Sequence, residues 1–210
     1  MPFIREDVQN WLRGLAEIPE EPVLDTMHRE AAERNFPIVG PEVGRLLYQL
    51  ARMSRAERIF EMGSGFGYST LWFARALPST GRVHHTDGDP KNTAKAREYL
   101  ERAGLFDRVV FTTGDARDIL KDTPGEFDIV FMDIDKDQYP SGYHVFKDRV
   151  KMGGLVIVDN LIWSGKVAAG EKDPATEGVR EYIQLMWQDP RFLSSLMPVR
   201  DGVGVSLRVR

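Results

Sequence analysis

Asp133, Asp159 and Asn160 each stand just past a run of hydrophobic residues, in FDIVFMDIDK and GGLVIVDN. Neither run needs an acid or an amide at its end in order to fold. Residues at the carboxyl ends of parallel strands converge on one edge of the sheet, where ligands bind. Two carboxylates and an amide oxygen there are suitable ligands for a hard divalent cation. Lys136 follows the first carboxylate by three residues. Each group also has a plainer role. Asp133 can cap a following helix with Lys136 paired to it on the surface, and Asp159-Asn160 can form a tight turn. Both pairs fall at strand ends, downstream of a glycine-rich turn, and that coincidence favours chemistry.

The glycine-rich turn is EMGSGFG, residues 61–67. Its glycines permit a tight turn and close approach of a ligand, and the helix it opens favours a negative group at its N-terminus. The pattern alone is shared by many turns and nucleotide sites. The next strand ends at Asp87, where a carboxylate can bind a pair of ribose hydroxyls. Enzymes that use NAD carry the same acid, so Asp87 does not decide the cofactor. Glu61, inside the turn, is awkward for a pyrophosphate and suits a cationic or neutral ligand. Ser69 either holds an amino-acid carboxylate or is an ordinary helix-start hydroxyl. Asp115, in TTGDARD, either faces an adenine amine or caps the helix that begins there.

These residues need a frame, and the hydrophobic pattern supplies one. Residues 4–15 and 21–34 read as short helices separated by Pro19 and Pro22, and 35–44 as a loop with Pro41 at a helix start. Val43, Leu46, Leu47 and Leu50 then repeat at helical spacing to about Ser54. From Arg58 strands alternate with helices: RIFEM, then 67–77; RVHHTD, then 91–103; RVVFTT, then 115–121; FDIVFMD, then 139–150; and finally GLVIVDN. This is a doubly wound α/β pattern. Residues 161–178 read as a polar, glycine-rich loop and 175–188 as a helix. RFLSSLMPV and GVGVSLRVR, joined at Asp201-Gly202, read as an antiparallel hairpin that closes the sheet. The expected organisation is one domain over 1–210 with 1–54 as a helical N-terminal portion.

The composition fits a globular protein, with 42% apolar and 29% charged residues. A net charge of -4 argues against a general nucleic-acid surface. Without cysteine there are no disulfides, thiolate metal sites or cysteine nucleophiles. The opening MPFIREDVQNWLRGL is charged by residue 5 and lacks a signal-peptide core, and no apolar run is long enough to span a membrane. A cytoplasmic location is expected.

The ordered set EMGSGFGYSTLWFARALP, Asp87, GDA at 114–116, FDIVFMDIDKDQY, GGLVIVDN, IWSGKV and LMPVRDGVGVSL resembles the cation-dependent O-methyltransferases, the group of caffeoyl-coenzyme A and catechol O-methyltransferases. The resemblance runs from the helix near Pro41 to the last strand. It implies a class I S-adenosylmethionine-dependent methyltransferase fold: a Rossmann-like mixed seven-stranded sheet with an antiparallel terminal hairpin. It implies S-adenosylmethionine as cofactor, met by Glu61, Gly63, Ser69, Asp87, Asp115, Ala116 and Asp133. It implies Mg²⁺ or another divalent cation on Asp133, Asp159 and Asn160, orienting a catechol-like acceptor and stabilising the developing phenolate. Lys136 resembles the general base and must be neutral to accept a proton. Lys136, Asn160 and Trp163 line the acceptor, with Trp163 covering a planar ring or merely packing its loop. Tyr143 is a further candidate for the pocket, whereas the four histidines have no assigned role. A homodimer acting on a small hydroxylated aromatic is expected, without nucleic-acid or membrane partners. Three other readings compete: a metal-independent small-molecule methyltransferase, an NAD-binding oxidoreductase, and a non-catalytic S-adenosylmethionine-binding protein.

Overall fold

The alternation that begins at Arg58 folds as a seven-stranded sheet. The structure, a computed structural model, describes residues 5–16 and 21–210. Residue 4 and Pro19 lie outside the described residues. The strands are β1 (Arg58–Met62), β2 (Arg82–Asp87), β3 (Val109–Thr113), β4 (Phe127–Met132), β5 (Val150–Val158), β6 (Phe192–Met197) and β7 (Val203–Arg208). Their spatial order is β3-β2-β1-β4-β5-β7-β6. β1 to β5 are parallel, while β7 pairs antiparallel with both β5 and β6. The terminal hairpin therefore inserts its second strand between β5 and its first, as the mixed sheet with a terminal hairpin anticipates.

The helices are α1 (Glu6–Ala16), α2 (Pro22–Glu33), α3 (Gly40–Met53), α4 (Tyr68–Ala76), α5 (Pro90–Arg102), α6 (Ala116–Asp122), α7 (Tyr139–Phe146), α8 (Lys166–Ala169) and α9 (Pro174–Gln188). Alternate residues of a strand face opposite sides, and the central strands are apolar on both. Ile59, Ile129 and Phe131 pack into a core with α2, α3 and α4. Phe60, Val130 and Met132 pack into a second core with α6, α7 and α9. That two-sided burial explains why RIFEM and FDIVFM read as continuous apolar runs rather than alternating ones. None of the helices among the described residues is long and apolar enough to cross a membrane.

Several boundaries differ from expectation. The helix expected over 139–150 ends at Phe146, because Val150 already pairs with Phe127 as the first residue of β5. The register then jumps to Ile129↔Leu155, leaving an irregularity around Gly153, whose φ is +77°. The loop expected over 35–44 gives way to α3 at Gly40, which keeps Pro41 in the first turn. The polar stretch 161–178 is not wholly loop: it holds a 3₁₀ turn at Trp163–Gly165, then α8, and the first turn of α9. Asp173 fixes that start, its Oδ1 accepting from the Thr176 N–H at 3.1 Å.

Candidate active site

The parallel order reverses between β1 and β4, which lie side by side and lead in opposite directions across the sheet. Crevices at such a switch point, outside the carboxyl ends of the strands, are where ligands bind in open α/β sheets. The glycine turn leaves β1 and Asp133 leaves β4. The backbone ladder continues one residue past the strands: the Asp133 N–H donates to the Met62 carbonyl at 2.8 Å, and the Asp159 N–H to the Met132 carbonyl at 3.2 Å. These bonds set the glycine turn, Asp133 and Asp159 in a row. Gly63 is essential to that row. Its φ is +83°, and a Cβ there would lie 2.6 Å from the Asp133 carbonyl oxygen.

Asp159 is buried, and its Oδ1 has no hydrogen-bond partner. Burial, with the negative charge of Asp133 beside it, pushes its carboxyl up to about 7. Burial raises Asp133 as well, opposed by the attraction of Lys136 and more weakly by Arg200. The Lys136 ammonium donates to Asp133 Oδ1 at 2.6 Å and to the Ile134 carbonyl at 3.2 Å. It also lies 5.2 Å from the Tyr139 ring centre and 5.7 Å from that of Trp163. The backbone of Asp159 is held from below by the buried Tyr139, whose hydroxyl donates to its carbonyl at 2.9 Å.

Asn160 takes up a left-handed conformation with φ +60°. Its Nδ2 reaches toward Asp201 Oδ2 at 3.5 Å, which leaves its Oδ1 as an available acceptor. Asp201 Oδ1 accepts from the Ser164 N–H at 2.6 Å, so the hairpin turn also secures the Trp163 loop. Six non-glycine residues among those described have positive φ, and Asn160, Trp163, Ser164 and Arg200 lie in these two adjoining loops. Left-handed non-glycine backbone is uncommon and collects at functional sites. Among the described residues no three His, Cys, Asp or Glu side chains gather as a cation cage. The residues expected to hold a cation are two carboxylates and one amide, each able to offer oxygen. They fit a hard cation on two counts: an unpartnered buried carboxylate oxygen, and two desolvated acids side by side.

The cofactor candidates ring the glycine turn. Glu61 is fully buried and its carboxyl is pushed up to about 7, first by burial. Its Oε2 accepts from the Thr70 hydroxyl at 2.5 Å, while its Oε1 is unpartnered. Ser69 is buried, its hydroxyl favouring the charged form of Glu61. Asp87 accepts from the Gly65 N–H at 2.9 Å, the Asp89 N–H at 2.9 Å and the Asn92 amide at 3.0 Å. It thus ties the glycine turn to the end of β2. Asp115 takes its plainer role: it caps α6 through the Arg117 N–H at 2.8 Å and pairs with the Arg117 guanidinium, which holds its carboxyl low. Ala116, buried, opens that helix.

One residue does not take the place expected of it. Tyr143 lies between α7 and the end of α9, where its hydroxyl donates to Asp189 at 2.9 Å. It is a packing residue, not part of the pocket. His28, given no role from the sequence, meets the Tyr68 hydroxyl at 2.6 Å. Sequence reasoning passed over Thr70, His85, Tyr139 and Asp201. Their contacts span separate elements, so no spacing along the chain signals them; the DG pair at 201–202 signalled only a turn.

The family model described as O-methyltransferase matches residues 15–209. The chain belongs to that family. Catechol O-methyltransferase of Niastella koreensis is 36% identical over 190 residues, covering 87% of this chain and 86% of that one. Caffeoyl-CoA O-methyltransferase of Pinus taeda is 34% identical over 188 residues, covering 83% and 73%. The structure of the O-methyltransferase TomG from Streptomyces achromogenes, involved in tomaymycin synthesis and in complex with SAM, superposes with a TM-score of 0.88. It is 28% identical, and the match covers 99% of this chain and 100% of that one. The enzyme is an S-adenosylmethionine-dependent O-methyltransferase of a small molecule. The readings as an NAD oxidoreductase and as a non-catalytic binder fall with that assignment.

Proposed function

We propose that the O-methyltransferase depends on a divalent cation and methylates a hydroxyl of a small, catechol-like aromatic. The observation that carries this reading is Asp159: a buried carboxylate with one oxygen unpartnered, set beside the carboxylate of Asp133. Two adjacent desolvated acids disfavour each other's charge unless a cation neutralises them. Asp133, Asp159 and Asn160 would hold Mg²⁺ or a similar ion, which prefers oxygen ligands. Such an ion, when bound, supplies Lewis-acid orientation of adjacent acceptor oxygens and eases their ionisation. The two relatives named above, a catechol O-methyltransferase and a caffeoyl-CoA O-methyltransferase, support an aromatic hydroxyl as the acceptor.

The chain's own residues do the rest. Lys136 accepts the proton of the acceptor hydroxyl at Nζ, after releasing one proton of its ammonium to solvent and loosening its bond to Asp133. Trp163 covers the acceptor ring. Asp87 binds the ribose hydroxyls of S-adenosylmethionine, Gly63 permits close approach, Ser69 meets the methionine carboxylate, and Glu61 faces the methionine ammonium. Ala116 lines the adenine, with Asp115 at its edge. S-adenosylmethionine, when bound, would supply its methyl group to the acceptor oxygen and leave as S-adenosylhomocysteine, with positioning by these residues as a main source of rate. The enzyme acts as a cytoplasmic homodimer: exposed Trp11, Leu12 and Leu15 on α1 and Leu193 and Leu196 on β6 offer apolar surface for a second copy. A methyl-transfer assay with catechol tests the reaction. Activity that disappears with a chelator and returns with Mg²⁺ supports the reading, and undiminished turnover after complete metal removal excludes it.

A further inference from the structure

The mechanism above makes no use of His85. It lies on β2, fully buried, against the Phe111 ring at 5.3 Å. Its Nδ1 is 3.0 Å from the Thr70 hydroxyl, and its Nε2 has no partner. Leaving a buried polar atom unpaired costs about 1–3 kcal/mol, so an apolar side chain would fill this space more cheaply. The same Thr70 hydroxyl sits 2.5 Å from Glu61 Oε2. Three side chains from β1, α4 and β2 thus form one buried line: Glu61, Thr70, His85.

Thr70 has one hydroxyl proton. When it donates that proton to Glu61, its oxygen must accept from His85, so Nδ1 carries the imidazole hydrogen and Nε2 is left bare. When Glu61 is neutral the line can run the other way, with Thr70 donating to a bare Nδ1. The first arrangement suits an ionised Glu61 with its free Oε1 available to a cation. Burial, together with the charge of Arg97 over the Phe111 ring, keeps His85 neutral, its imidazole pushed down to about 3. It therefore acts as an oriented N–H donor and not as a charge. Ser64 and Ser69 also favour the ionised form of Glu61, while Thr70 joins the Glu61 side chain to the His85 side chain on β2.

We propose that Thr70 and His85 are positioning residues: an Nδ1–H tautomer of His85 donates to Thr70, which donates to Glu61 and holds its carboxylate charged and aimed at the methionine ammonium of the cofactor. This rests on the assignment of Glu61 to the cofactor, and the experiment separates the two. Binding of S-adenosylhomocysteine, which keeps the ammonium, is measured beside 5′-methylthioadenosine, which lacks the amino-acid portion. Thr70→Val should weaken S-adenosylhomocysteine about tenfold or more, leave 5′-methylthioadenosine unchanged, and be rescued by Thr70→Ser. Wild-type affinity in Thr70→Val, or an equal loss for both ligands, would overturn the relay. Wild-type S-adenosylhomocysteine affinity in Glu61→Gln would instead remove Glu61 from the cofactor site, and the proposal with it. Long-range ¹H–¹⁵N spectra of histidine-labelled wild type in the S-adenosylhomocysteine complex need no variant to fold. Protonation of His85 at Nδ1 supports the relay, and protonation at Nε2 contradicts it.

Discussion

Lys136 carries the proposed proton transfer, and its surroundings sharpen what removing it should do. In the structure its ammonium spends one hydrogen bond on Asp133 and one on the Ile134 carbonyl. Lys136→Ala removes the acceptor of the substrate's proton and also leaves Asp133 without its cationic partner. General-base contributions are typically about 10²–10⁴-fold, so kcat should fall within that range while S-adenosylmethionine affinity stays close to wild type. Single-turnover methyl transfer alongside cofactor titration checks both halves. Equal turnover by the variant would remove Lys136 as the base. The residue itself was legible in the sequence because IDK follows an apolar strand directly. Its bond to Asp133 was also foreseeable, since three residues along a turn bring the two side chains together. The left-handed backbone at Trp163, Ser164 and Arg200 was not, because none of these is a residue type that announces a positive φ, whereas the asparagine at 160 is of a type that favours it.

At the scale of elements, the cation cluster hangs on contacts between segments distant in sequence. Tyr139, the first residue of α7, supports Asp159 at the end of β5. Tyr139→Phe keeps the ring packed against Tyr182 and removes only the hydroxyl. The lost hydrogen bond should lower stability by about 1 kcal/mol, or about 2–4 °C in Tm for a domain of this size. Cation affinity should weaken with it, because the Asp159 backbone is no longer held. A calorimetric melt together with Mg²⁺ titration checks the pairing; unchanged affinity would mean that the strand end alone positions Asp159. The order of strands and helices was readable from periodicity, including the terminal hairpin. The end of α7 was not, because RVKMGG continues an amphipathic pattern until the pairing of Val150 with Phe127 overrides it. Residues 163–169 escaped for a related reason: a short turn broken by Gly165 and stopped by Gly170 carries no periodic signal, and Asp201 of the adjoining hairpin turn holds it at the Ser164 N–H.

For the whole molecule, the two desolvated acids couple folding to pH and to metal. An unfolded Asp159 ionises near its ordinary value of 3.8, whereas the folded group holds its proton up to about 7. Between those values the folded state binds the extra proton, so its contribution to stability declines as pH rises and levels off above about 7. A divalent cation reverses the balance, because it requires the ionised carboxylates. The increase in Tm on adding Mg²⁺ should therefore be small at pH about 6 and larger at pH about 8. A ligand present at roughly 100 times its Kd stabilises by about 2.7 kcal/mol, which a thermal melt resolves. A Mg²⁺ shift of equal size at both pH values would show that the acids are not ionising on binding.

The central claim, that Asp133, Asp159 and Asn160 form one cation site beside the cofactor, is tested most directly by Mn²⁺ binding followed by electron paramagnetic resonance in the presence of S-adenosylhomocysteine. Wild type should bind a single ion, and Asp159→Asn should bind at least about tenfold more weakly. Undiminished Mn²⁺ binding by Asp159→Asn, with its S-adenosylhomocysteine affinity intact, would contradict the account.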